Sequence, residues 1–93
     1  MLLVRLSSGE EIVGEVTETE THITIKNGYS LIPAGEGKIG FMAFMSYTKA
    51  EEGVTISKQF VLFMVEPKDQ LVEQVKSMNS SIVVPPKGII TGI

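Results

Sequence analysis

The feature that most constrains this chain is the two-residue spacing of apolar side chains in its first third, which becomes a strict alternation over His22 to Lys26. Leu2, Val4 and Leu6 fall on one face of an extended segment, and Ile23 and Ile25 repeat the pattern after a polar turn. A two-residue period is typical of strands that bury one face. Because such segments recur at short intervals, we predict a mainly β fold rather than a helical bundle.

A glycine interrupts the second predicted strand, Glu11 to Thr17. Gly14 shares a face with Ile12 and Val16. Glycine inside a strand often marks a sharp bend or a close backbone approach, and a small barrel requires such a bend. The sequence therefore predicts a strongly curved strand here.

The dipeptide Asn27-Gly28 has two possible structures. It is a strong signal for a hairpin turn, yet a strand pattern resumes at once in Tyr29 to Ile32. A bulge in one long bent strand explains the same residues equally well.

Two longer apolar segments follow the loop Pro33 to Lys38. We predict an extended segment over Ile39 to Tyr47 and one strand over Val54 to Val65. Its second half, Phe60 to Val65, is continuously apolar, which is typical of a strand buried on both faces. In a small barrel a neighbouring subunit would cover the second face.

One helix is predicted, from Pro67 to about Met78. Proline suits a first helical position, and an apolar stripe recurs at helical spacing. A short last strand over Ile82 to Val84 should end at Pro85-Pro86, since proline cannot donate to a sheet. We therefore divide the chain into a domain over 1–84 and a C-terminal tail over 85–93.

Length, charge and composition exclude several classes of protein. The chain has 93 residues, enough for one domain but not for a large α/β enzyme fold. There is no cysteine, which excludes disulfide scaffolds and thiolate metal sites. The net charge of −3 is unfavourable for binding phosphate unless cations cluster locally. Without a signal peptide pattern or an apolar run of membrane length, we expect a cytoplasmic protein with no membrane partner.

No set of residues predicts catalysis, a metal site or a cofactor. The lone histidine, His22, lies in a predicted strand and has no nucleophile beside it, so we interpret it as a surface or packing residue. Gly35 to Gly40 matches the G-x-G-x-x-G pattern, but the Phe41 to Phe44 segment that follows does not start a helix. We therefore interpret the glycines as a turn and expect a protein that is not an enzyme.

The aromatic segment Phe41 to Tyr47 has two interpretations. Exposed aromatics with nearby lysines, here Lys38 and Lys49, can form a stacking platform for single-stranded nucleic acid. Phe41 and Phe44 can equally be core or subunit interface, and the sequence favours that interpretation.

The spacing of glycines and apolar residues from Leu6 to Thr24 resembles the first motif of the Sm/LSm family. The match runs without a gap, with glycines at Gly9 and Gly14 and an acidic residue, Glu20, before Ile23-Thr24. In the family's second motif a strand is followed by a tight turn carrying Arg-Gly and by a short final strand. No Arg-Gly occurs here, so the second half resembles divergent Sm-like proteins of tailed-phage type.

The resemblance implies an Sm-like, SH3-type bent five-stranded antiparallel barrel, with one helix inserted before the last strand. It also implies a homo-oligomeric ring of five to seven subunits, in which the fourth strand of one subunit pairs with the fifth of the next. By family position, Glu20, Ile23 and Thr24 would form the RNA-binding turn. Thr24 replaces the family's asparagine, and Glu20 replaces its usual aspartate.

From the resemblance we expect a ring-forming protein that binds single-stranded RNA in an RNA-processing or regulatory role. The alternative is an assembly or protein-interaction module with the same barrel. That alternative is favoured by the net acidity, the missing Arg-Gly and the apolar segment Phe41 to Tyr47.

Overall fold

The computed structural model describes residues 1–79 and 90–91 and is mainly β, as predicted. Its strands and its α-helix, in chain order, are β1 (Leu2–Leu6), β2 (Glu11–Glu18), β3 (His22–Pro33), β4 (Ile39–Ala43), β5 (Val54–Ser57), β6 (Val61–Val65), α1 (Asp69–Asn79) and β7 (Ile90–Thr91). Two short 3-10 turns, Ala50–Glu52 and Lys58–Phe60, precede β5 and β6.

All strand pairs in the described sheet are antiparallel. The strand order is β6-β1-β2-β3-β4-β7, and β5 also pairs with β3. The long strand β3 has different partners along its length, because its first half pairs with β5 and its second half with β4. Strand β3 therefore pairs directly with three other strands, β2, β4 and β5.

The predicted bend is present, and Asn27-Gly28 forms a bulge rather than a hairpin turn. The register between β2 and β3 shifts between Val13 and Glu15, opposite these two residues. Asn27 has a φ of 51°, a left-handed conformation that asparagine tolerates better than most residues. A Cβ atom at Gly14 would lie 3.0 Å from the Cα of Gly28. Glycine at position 14 therefore allows the two strands to approach at the bend.

The sheet buries apolar side chains on both of its faces. One cluster contains Val4, Leu6, Ile12, Ile23, Ile25 and Phe44. The second lies under α1, and its buried members are Val13, Phe41, Leu71, Val75 and Met78. Adjacent residues Ile12 and Val13 point to opposite faces and are both fully buried, which explains why β2 does not alternate simply between apolar and polar positions.

The prediction of one strand over Val54 to Val65 is wrong. The 3-10 turn Lys58–Phe60 divides it, because β5 pairs with β3 whereas β6 pairs with β1 and the chain must cross between them. The extended segment predicted over Ile39 to Tyr47 also ends early, at Ala43, where the chain enters turns. In the first of these segments, the change of pairing partner interrupts the strand despite its apolar sequence.

The α-helix lies within two residues of its predicted position, over Asp69–Asn79 rather than Pro67 to Met78. Three members of the predicted apolar stripe, Leu71, Val75 and Met78, are buried, and the fourth, Val72, is half-buried. The strand predicted over Ile82 to Val84 lies outside the described residues, as does most of the predicted tail. Within that tail, Ile90–Thr91 pairs with Gly40 and Phe41 of β4.

Candidate functional site

Two turns that are far apart in the sequence meet at one end of the sheet. The backbone N–H of Lys58 donates a 2.9 Å hydrogen bond to the carbonyl oxygen of Thr21. Next to this contact, His22 of β3 lies opposite Ser57 of β5 in the sheet register. We call the surface formed by residues 18–22 and 57–58 the turn surface.

Hydrogen bonds hold the β2–β3 turn in one shape. The backbone N–H of Thr19 donates to the carbonyl oxygen of His22 over 2.8 Å. The Thr19 hydroxyl oxygen accepts bonds from the backbone N–H groups of Thr21 and His22, at 3.3 and 3.1 Å. Such local side-chain contacts are the reason threonine favours turns. They leave Glu20 at the tip of the turn, exposed to solvent.

The three residues predicted to bind RNA have different surroundings. Glu20 is exposed, whereas Ile23 has no exposed surface and packs in the core beneath the turn. Thr24 is half-buried, and its hydroxyl oxygen lies 3.1 Å from that of Thr55 on β5. Ile23 thus fixes the base of the turn, and of these three residues Glu20 is the most accessible to a ligand.

The turn surface carries charges of both signs. The Lys58 ammonium lies 3.8 Å from a carboxylate oxygen of Glu18, and both side chains are partly exposed. Exposed ion pairs of this kind contribute little to stability and exchange readily with other ions. Lys58 is therefore a cation that an anionic ligand could recruit, while Glu18 and Glu20 oppose the approach of phosphate.

His22 also belongs to the turn surface, although the sequence pattern does not mark it as a ligand-binding residue. Its side chain is exposed, and its Nδ1 lies 2.7 Å from the hydroxyl oxygen of Thr21. This contact orients the imidazole ring at the β2–β3 turn. In the sequence, His22 lies two residues before Thr24, within the stretch Leu6 to Thr24 from which the RNA-binding turn is predicted. Of the two interpretations that the sequence left open, a surface or a packing residue, the exposed side chain supports the first.

The aromatic segment divides between core and surface. Phe41 is fully buried and Phe44 is 9% exposed, which confirms the interpretation that these two residues belong to the core. Tyr47, in the turn after β4, is 81% exposed.

A second exposed feature is the strand β6 and the turn that precedes it. β6 is the terminal strand of the sheet order, with β1 on one side. Large apolar side chains there remain 42–61% exposed: Phe60, Leu62, Phe63 and Val65. The sequence predicts burial on both faces, with a neighbouring subunit covering the second. In the single chain, Val61 and Met64 pack against the core, whereas the other large apolar side chains of the run remain exposed.

Within residues 1–79 and 90–91, no group of three or more histidine, aspartate or glutamate side chains is placed to hold a metal ion. In the same part of the chain, no helix has the length and apolarity needed to cross a membrane.

Comparison of the sequence with models of known protein families gives no match, and no curated protein is significantly similar to it.

Proposed function

We propose that this chain is an Sm-like barrel protein that assembles into a ring and binds single-stranded RNA at the turn surface. The observation that carries the proposal is the hydrogen bond between Thr21 and Lys58. It joins the turn of the first family-like motif to a second turn, which lies between two short strands. In the family, the corresponding turns together form the RNA-binding surface.

The position of the second motif supports the assignment. The family pattern of strand, tight turn and short final strand fits β5, the turn Lys58–Phe60 and β6. Lys58 occupies the turn in which the family carries Arg-Gly, and it supplies one cation there. This placement replaces the assignment of the final strand to Ile82 to Val84, and it puts α1 after the five barrel strands.

The ends of the 3-10 turn support closure of the barrel. Lys58 is bonded to Thr21, and the Phe60 carbonyl oxygen accepts a 2.7 Å hydrogen bond from the Ser7 backbone N–H. The three residues of this turn, Lys58–Phe60, therefore connect the turn after β2 with the turn after β1. With β6 paired to β1 and β5 paired to β3, β1, β2, β3, β5 and β6 form the five strands of the proposed barrel.

RNA would contact the turn surface through two different interactions. The exposed His22 ring offers a face on which a base can stack, a common mode for unpaired bases. Lys58 would exchange its partner Glu18 for a phosphate. A single cation flanked by two glutamates predicts weak binding by one subunit, and a ring that presents several copies would raise the affinity by multivalency.

Ring formation is supported by the outer edges of two strands. Among residues 1–79 and 90–91, β6 pairs with β1 alone and β5 pairs with β3 alone. Unpaired edges with exposed apolar side chains favour pairing with another chain. In the proposed ring, the edge of β5 from one subunit pairs with the edge of β6 from the next, which would also cover Leu62.

RNA binding is tested by fluorescence anisotropy with labelled oligo-U at low and at physiological salt. We expect saturable binding that weakens with salt. It should be several-fold weaker in H22A and K58Q but unchanged in K76Q, which removes a lysine on α1. No salt-sensitive affinity for oligo-U or mixed-sequence RNA even at low ionic strength would overturn the RNA proposal.

Assembly is tested separately by the native mass of the purified protein. We expect a homo-oligomer of five to seven subunits; a monomer over a wide concentration range would overturn the ring.

The second candidate function is an assembly or protein-interaction module with the same barrel. It is favoured by the exposed apolar side chains of β6 and by the net charge of −3. A ring without RNA affinity that binds one specific protein would support this function instead.

A further inference from the structure

A cleft beside β4 shares no residue with the turn surface. It has a volume of about 210 Å³, and its lining includes Glu10, Met42, Met45 and Tyr47. A water molecule occupies about 30 Å³ in the liquid, so the space suits one side chain rather than a large ligand. Most of the lining belongs to β4 and the turn after it, in the stretch 35–53 that lengthens the chain beyond a minimal barrel.

We propose that this cleft binds an arginine side chain of a partner protein. The chemistry of the lining supports a cation with a flat apolar body. Glu10 supplies a carboxylate, and the 81% exposed Tyr47 supplies an aromatic face. Guanidinium groups pair with carboxylates through two hydrogen bonds and stack on aromatic rings, whereas an ammonium group is more strongly hydrated.

The carboxylate of Glu10 is available for such a partner. Among the described side chains, the hydroxyl of Ser8 donates a 3.3 Å hydrogen bond to this carboxylate. The neighbouring Glu11 is instead paired with Arg5, at 3.5 Å. Within residues 1–79 and 90–91, no cationic side chain lies within ion-pair distance of Glu10, so it adds uncompensated negative charge to the rim of the cleft.

The backbone and side chains of the cleft fit a binding role. Met45 has a φ of 47°, a conformation that costs energy for a bulky residue and is concentrated at functional sites. Thr48 holds this turn, since its backbone N–H donates to the carbonyl oxygen of Met45 over 2.9 Å. The thioethers of Met42 and Met45 provide adaptable apolar walls for the methylene groups of the incoming side chain.

The arginine would come from a different protein rather than from a second copy. Arg5 is the sole arginine of the sequence, and it lies within β1, with β2 on one side and β6 on the other, rather than on a turn that could reach into a neighbour's cleft. A ring subunit therefore has no other arginine to offer to its neighbour. This inference does not depend on RNA binding, because none of the lining residues belongs to the turn surface.

The test is an NMR titration of the full chain with the peptide acetyl-Gly-Arg-Gly-amide. We expect saturable shifts of the Met42 and Met45 methyl signals. The apparent Kd should rise at least fivefold when citrulline, the neutral isostere, or lysine replaces the arginine.

Two variants make the result specific. E10Q should weaken binding of the arginine peptide to the level of the citrulline peptide, whereas E51Q, a surface carboxylate outside the cleft, should bind like the wild type. Backbone spectra would establish that both variants are folded. Equal affinity for the arginine and citrulline peptides, or unchanged affinity in folded E10Q, would overturn the proposal. Equal affinity for the lysine peptide would overturn its selectivity for arginine.

Discussion

The backbone N–H of Lys58 and the carbonyl oxygen of Thr21 form a 2.9 Å hydrogen bond between segments that are 37 positions apart (58 − 21). This bond fixes the β5–β6 turn against the β2–β3 turn. It therefore determines whether His22 and Lys58 lie on one surface, which the proposed RNA site requires.

Removing this backbone donor should lower stability by about 1 kcal/mol. K58P eliminates the N–H and leaves the Thr21 carbonyl oxygen without its partner. Proline should fit the position, because Ser57 has φ −64° and ψ 137°, the extended conformation favoured before proline. The free energy of unfolding from urea titration is the measurement.

The matched variant is K58Q, which removes the same charge but keeps the N–H. It should change stability by only a few tenths of a kcal/mol, since the Lys58–Glu18 pair is exposed. A K58Q variant as unstable as K58P would show that the side chain, not the hydrogen bond, holds the turns together.

Gly14→Ala should destabilise the protein by about 1–3 kcal/mol through overpacking. The new Cβ would lie 3.0 Å from the Gly28 Cα and from the Lys26 carbonyl oxygen, and backbone atoms at the bend cannot move aside easily. At Gly28 the closest atoms to a new Cβ are side-chain methyls of Ile12 and Ile25, at 3.1 Å.

Because side chains can repack, Gly28→Ala should cost less than Gly14→Ala. Thermal unfolding of both variants tests this order, and the reverse order would contradict the role assigned to the bend.

Much of the fold could be predicted because its causes are local. The alternation in β1 and in the first half of β3, the bend at Gly14 and the stripe on α1 each arise from neighbouring residues, and each is present in the structure. The break at Lys58 could not be predicted in this way. It exists because β5 and β6 have different partners, β3 and β1, which is a long-range property of the sheet.

The candidate site was predicted only in part for a similar reason. Motif spacing located the turn that carries Glu20, but it does not reveal which second segment lies against that turn. The burial of Ile23 also depends on contacts with distant strands. His22 is a candidate RNA-binding residue because its exposed ring and Lys58 lie on the same surface.

Leu62→Lys should convert the proposed ring to monomers while the subunit remains folded. Leu62 is 61% exposed in the single chain, so a lysine there removes little burial within the subunit. In the ring, the same change would place a charge at a paired apolar edge, a known way to prevent edge pairing. Analytical ultracentrifugation gives the mass, and circular dichroism reports folding.

The control for this variant is Tyr47→Lys, which replaces an exposed apolar side chain that lies away from β6. It should leave the mass of the assembly unchanged. A ring that persists in L62K would place the subunit interface elsewhere.

Tyr29 should make the protein less stable at alkaline pH. Burial raises the pKa of its hydroxyl above the usual value of 10.0, so the folded chain retains the proton at pH values where the unfolded chain loses it. The protonated hydroxyl contributes its full share to the free energy of unfolding below about pH 10. This contribution declines as the pH rises through the pKa of the folded state, because the unfolded state then binds fewer protons than the folded state.

Y29F removes this contribution, and it should show a shallower fall in the free energy of unfolding above about pH 10 than the wild type. The two proteins differ only in this hydroxyl, so urea unfolding compared at pH 8 and at successive alkaline pH values isolates the tyrosine. Identical slopes for Y29F and the wild type would show that ionisation of Tyr29 is not linked to unfolding.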